Sequence, residues 1–100
     1  MAEIRVSPER LTAAAQQIEG LASDYKGQYE QMYRVTDEMK VKGFDDKAGE
    51  TFINQIAGFK DDLTRMYELM NEYAAFLRQS AAAYTETQNE AIARAQQLRN

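Results

Sequence analysis

From Leu11 onward the chain places an apolar residue at every third or fourth position: Leu11, Ala14/Ala15, Ile18, Leu21/Ala22, Tyr25, Tyr29, Met32, Val35 and Met39. A repeat of three and four, held without a miss for roughly seven turns, is the signature of one α-helical face. The stretch SPERL predicts its start. Ser7 can accept from free backbone N–H groups, Pro8 suits the first helical position, and Glu9 faces the positive end of the dipole. Val6 and Leu11 occupy the two positions of a hydrophobic staple, whereas Arg10 stands where a capping box has Glu. Gly20 and Gly27 lie inside this helix, seven residues apart on one face. Each costs about 1 kcal/mol relative to Ala, and they read either as tolerated defects or as a strip where another helix comes close.

The rhythm stops once, in MKVKGFDDKAGETF (residues 39–52), and then resumes at Phe52. Gly43 is the expected stop of the first helix, and Asp45 or Asp46 the expected cap of the second. The second run is Phe52, Ile56, Phe59, Leu63, Met66, Met70, Tyr73, Leu77, Ala81 and Tyr84, with steps of 4, 3, 4, 3, 4, 3, 4, 4 and 3. That is close to a heptad, the spacing of left-handed antiparallel packing. Flanking residues widen it: Ile53, Tyr67 and Ala74 on one side, Leu69 and Phe76 on the other. Beyond Tyr84 the sequence TETQNEAIARAQQLRN stays compatible with a helix, but its apolar residues are few and a mobile tail is expected.

The predicted fold class is therefore all-α. A single domain is expected, with helix 1 over about 8–41, a turn over about 42–46, helix 2 over about 47–86 and a C-terminal tail over about 87–100. A short polar break between two helices, each roughly 45–50 Å long, folds them into an antiparallel hairpin. An apolar stripe about three residues in seven wide is more than two helices can bury. A second hairpin should cover the surplus, so the hairpin is expected to dimerise into a four-helix bundle, either with itself or with a similar partner. The expected seam between helices or protomers is Leu11, Ile18, Tyr25, Met32, Ile56, Phe59, Leu63, Met66, Met70 and Leu77.

Composition narrows the chemistry. With no His and no Cys, serine–histidine and cysteine–histidine catalysis, thiolate metal sites and disulfides are all excluded. The pairs Asp45/Asp46 and Asp61/Asp62 are the best acid–base candidates. Neighbouring helical residues point about 100° apart and a hairpin offers no cleft, so they read as caps and solvated faces, and no enzyme, cofactor or metal is expected. A net charge of −4 with dispersed basic residues argues against nucleic acid as a partner. It also argues against a membrane, because the polar helix faces mix signs and no run reaches roughly 20 apolar residues. The opening MAEIRVSPERL has no apolar core, so no cleavable signal peptide is expected.

The whole layout, including the IRVSPERL opening, resembles the WXG-hundred family, the small ESAT-like helical hairpins of type VII secretion. That family's turn carries Trp, any residue and Gly, then Ala two residues on and Phe four beyond that. The matching register here is Phe44-Asp45-Asp46, Ala48 and Phe52, with Phe in place of Trp and Asp in place of Gly. Phe keeps a large ring at the helix ends but lacks the indole donor, and Asp gives up positive φ but supplies a cap. Phe44 is then either a plug closing the bundle end or a recognition surface. The family's export signal is a C-terminal Tyr followed four residues later by Asp or Glu. Tyr84 matches, and Gln88 stands at the second position, on the same helical face. Tyr84 is alternatively the last core residue of the helix. The resemblance implies a protein made in the cytoplasm and secreted without a cleavable signal. It implies itself or a homologous hairpin as partner, together with the secretion ATPase. Two roles fit: a non-catalytic exported dimer, or a targeting partner for the helical N-terminal domain of a larger exported toxin.

Overall fold

The computed structural model describes residues 7–44 and 46–99, with the side chains of all of these but Arg99. They form three helices, α1 (Pro8–Val41), α2 (Lys47–Gly58) and α3 (Lys60–Arg99), with no strand among the described residues. Val6 and Asp45, expected as staple and alternative cap, lie outside them. The chain divides into two compact units, one running from Gly20 to Met70, the other joining the start of α1 through Glu19 with α3 from Asn71 onward.

In the Gly20–Met70 unit the turn is built as its residue types require. Gly43 has φ +85°, the conformation that ends a helix and that residues with a Cβ resist. The Phe44 N–H then donates back to the Met39 carbonyl at 3.1 Å, satisfying an acceptor at the end of α1. Asp46 caps α2: its backbone is extended and its Oδ1 accepts from the Gly49 N–H at 2.9 Å. Gly49 is needed there, because a Cβ would sit 2.5 Å from the Phe44 carbonyl oxygen and 2.7 Å from Asp46 Oδ1.

The second helix is not continuous, as the heptad implied, but breaks at Phe59. The Phe59 N–H bonds three residues back to the Ile56 carbonyl at 3.1 Å, and the Leu63 N–H starts α3 on the Phe59 carbonyl at 2.9 Å. Three features favour the break. Gly58 has little preference for helix, Asp61 and Asp62 suit the first turn of a new one, and the Tyr33 hydroxyl donates to the Ile56 carbonyl at 2.9 Å. The interior of this unit includes Ala22, Ile53 and Thr36, whose hydroxyl donates to the Met32 carbonyl. Tyr25, Tyr29 and Tyr33 stack edge to face along α1, and the Tyr25 hydroxyl reaches the Leu63 carbonyl at 3.0 Å.

In the other unit Ser7 caps α1 as expected, accepting from the Arg10 N–H at 3.2 Å. Ala15 and Ala74 have no exposed surface and Leu77 little, with Leu11, Ala14 and Ile18 packed around them. Small side chains at such a contact let two helix backbones come close. Arg78 forks onto the Glu19 carboxylate, with Nε at 3.1 Å from Oε2. The helix does not stop near residue 86 but runs to Arg99. The Thr85 and Thr87 hydroxyls turn back onto the Ala81 and Ala83 carbonyls, so these polar residues are accommodated within the helix.

Candidate docking surface and export-signal face

Along α3 the residues that pack inside the chain fall at steps of four and three. Leu63, Tyr67 and Met70 are half-buried in one unit, and Ala74, Leu77 and Ala81 are buried in the other. The expected line shares Leu63, Met70, Leu77 and Ala81 with this one but runs through Met66 and Tyr73 rather than Tyr67 and Ala74. The apolar stripe is broad enough for either edge to turn inward, and small Ala74 and hydroxyl-bearing Tyr67 make the inner edge. Of the remaining expected seam residues, Leu11, Ile18, Tyr25, Met32 and Ile56 are half-buried.

The other edge is left to solvent. Phe52 and Phe59 on or beside α2, and Met66, Leu69, Tyr73 and Phe76 on α3, each expose roughly half their surface, Phe76 reaching 58% and Tyr73 56%. Tyr73 and Phe76 stack with ring centroids 6.2 Å apart. Large apolar side chains repeating along one helix face are the makings of a protein-binding surface.

The turn motif is spread rather than gathered. Phe44 is 51% exposed beside a small hollow lined by Lys40, Glu50, Ile53 and Asn54, Asp46 faces its cap, and Ala48 and Phe52 are exposed on α2. Tyr84 and Gln88 are brought together. With Ser80, Ala83, Thr87 and Ala91 they line one shallow cleft on α3, and Tyr84 is 43% exposed. At i and i+4 the phenol and the amide form a single polar face, with donors and acceptors but no charge.

Two ionisable groups are perturbed by each other and one by its surroundings. The hydrogen bond from Arg78, with its charge, holds the Glu19 carboxyl below the ordinary range, and the same pairing raises Arg78. Desolvation pushes the Tyr33 phenol up, assisted by Tyr25, Asp61 and Tyr29 nearby. Asp61 and Asp62 sit exposed in the first turn of α3, and no group of three acidic residues among those described could hold a metal ion. No helix of the described residues is long and apolar enough to cross a membrane. Gly49 and Tyr33 escaped the sequence reading. The first could have been found from its place three residues after the capping Asp46; the second stands off the main apolar line and carried no signal.

Comparison with known proteins agrees with this geometry. The family profile WXG100, "Proteins of 100 residues with WXG", matches residues 3–89. Among solved structures, EsxA of Geobacillus thermodenitrificans superposes with a TM-score of 0.80 at 22% identity, covering 91% of this chain and 97% of that one. The secreted protein EsxB of Bacillus anthracis strain Sterne gives 0.75 at 17% identity, over 88% and 99% of the two chains. A point mutant of that EsxB gives 0.75 at 18%, over 88% and 97%. No curated protein matches by sequence. The likeness to these structures establishes the all-helical hairpin fold, and with the profile spanning most of its length the chain belongs to the WXG100 family of small type VII secretion proteins.

Proposed function

We propose that this chain is a non-catalytic type VII secretion substrate, made in the cytoplasm, exported without a cleavable signal peptide, and active as a dimer of hairpins. The observation that carries the reading is the half-exposed row Met66, Leu69, Tyr73 and Phe76 on α3, with Phe52 and Phe59 before it. Fully burying a side chain of this kind is worth about 1.5–3 kcal/mol, so covering the exposed half of each contributes about 1 kcal/mol, and the row as a whole favours a matching hairpin laid on it. Tyr84 and Gln88 serve as the face read by the secretion ATPase. Phe44 and the capped turn are a second place of contact with the machinery. Sedimentation of the purified chain tests the first part, and a dimer is expected at micromolar concentration. A monomer across that range would overturn it. For the second part, Tyr84→Ala should abolish export from a host carrying the secretion system, while Gln88→Glu should preserve or raise it.

One observation favours a second role in the same pathway. Gln88 stands where the family has a carboxylate, and Phe44-Asp45-Asp46 stands in place of Trp-x-Gly. Incomplete signals suit a protein that travels with another, pairing with the helical N-terminal domain of a larger exported toxin. Under that role the purified chain alone is monomeric or aggregates, and co-expression with the neighbouring helical domain yields a one-to-one complex.

A further inference from the structure

The break between α2 and α3 has no cause in the local chain that forces it. It contains no proline, and among the described residues the only positive φ belongs to Gly43, well before it. Phe59 stands at φ −84° and ψ −8°, short of helical values by roughly 35° in ψ. The heptad of Phe52, Phe59 and Met66 passes through unbroken, so the sequence suits one helix as well as two. What opposes continuity comes from α1. In an unbroken helix the Ile56 carbonyl would accept from the Lys60 N–H, four residues on. Here it accepts from the Phe59 N–H at 3.1 Å and from the Tyr33 hydroxyl at 2.9 Å. The Tyr33 ring centre also lies 5.7 Å from Lys60 Nζ, so one side chain touches the last turn of α2 and the first residue of α3. Tyr25, eight residues earlier, donates to the Leu63 carbonyl at 3.0 Å, within α3.

We propose that the break is a hinge with two states and that the Tyr33 hydroxyl is its latch. With the hydroxyl on the Ile56 carbonyl, the helix is divided at Phe59. With the hydroxyl withdrawn, the Lys60 N–H takes the same carbonyl and α2 runs into α3 as one helix. The exchange leaves no acceptor stranded, because a backbone donor replaces a phenol at the same oxygen. The released hydroxyl finds polar surroundings too, in a hollow that Tyr33 lines with Asp37, Lys60 and Thr64. Tyr25 is an anchor and not a latch, since the Leu63 carbonyl lies inside a helix in both states. The hinge bears on the apolar row. Phe52 precedes it, Phe59 stands at it, and Met66 follows at the same seven-residue step, so fusing the helices brings both rings into line with Met66. That consequence presupposes that the row docks a second hairpin; the hinge itself does not.

Backbone amides report the state of the hinge, residue by residue, through hydrogen exchange followed by NMR. Lys60, Asp61 and Asp62 form the first turn of α3, where no carbonyl of that helix lies four residues behind them. In the parent chain these three should exchange about tenfold faster than the amides of residues 64–66. Tyr33→Phe keeps the ring and removes the hydroxyl, and should slow exchange at residues 60–62 severalfold. Tyr25→Phe should leave those three amides as they are in the parent. Unchanged exchange at 60–62 in Tyr33→Phe would overturn the latch, as would equal slowing in Tyr25→Phe. Faster exchange throughout residues 20–70 of Tyr33→Phe would overturn it as well, because the hydroxyl would then be a pillar of the fold. Amides 60–62 as slow in the parent as 64–66 would remove the break itself. Sedimentation of the same variants tests the dimer apart from the hinge, so either can fail while the other stands.

Discussion

At Gly49 the turn and the second helix meet so closely that the Phe44 carbonyl occupies the space a side chain would need. The Asp46 cap draws the same backbone N–H inward, so the turn and the cap are one device rather than two. Gly49→Ala should therefore destabilise the fold by more than about 1 kcal/mol, in contrast to Gly20→Ala or Gly27→Ala, which meet open space and should stabilise their helix. Thermal denaturation of the three variants makes the comparison, and a Gly49→Ala protein as stable as its parent would mean the turn can move aside. The Glu19–Arg78 bridge makes a prediction in pH. Glu19 has a folded-state pKa below its ordinary 4.5, so its contribution is complete above that value and fades as pH falls through the lower one. Glu19→Gln should thus be less stable than the parent at neutral pH, with the gap closing under acid. A gap that persists in acid would assign the effect to packing instead of charge.

At the scale of helices, the parts with a local cause could be read from the sequence. The Ser7 cap, the Gly43 stop and the Asp46 cap each follow from what one residue type does to neighbouring backbone groups, and all three are present. Which edge of the stripe turns inward could not be read. Met66 and Tyr67, like Tyr73 and Ala74, are adjacent apolar residues, and the choice between them is made by the opposite helix. The break at Phe59 was hidden for a related reason. Gly58 interrupts no heptad, and the Tyr33 hydroxyl that helps hold the break comes from far away in sequence. Leu77 packs in the cluster with Ala15 and Ala74, so Leu77→Ala should cost about 2–5 kcal/mol. Phe76→Ala, on the solvent edge, should cost the isolated chain under about 1 kcal/mol. Chemical denaturation at low protein concentration separates the two, and equal losses would place Phe76 inside.

For the whole molecule the candidate sites divide in the same way. Tyr84 and Gln88 were legible because a four-residue spacing on a helix guarantees a shared face, and they do line one cleft. The bond from Tyr33 to the Ile56 carbonyl was not legible, since it depends on the register between segments distant in sequence. If the apolar row is the dimer surface, Tyr73→Asp with Phe76→Asp should shift the purified protein to monomer while leaving its helical circular dichroism intact. Loss of helix together with loss of the dimer would instead assign the row to the hairpin's own interior.

The interior identified in this chain is built chiefly from alanine: Ala15, Ala22, Ala74 and Ala81 are buried, and no large side chain among the described residues is wholly enclosed. Methyl groups bring helices together but remove little oil from water, so an isolated hairpin has a shallow reserve against melting. Most of the material that could deepen this reserve lies outside, on Phe52, Phe59, Met66, Tyr73 and Phe76. If a second hairpin covers them, as proposed, association becomes a source of heat resistance and dilution a means of loosening the chain.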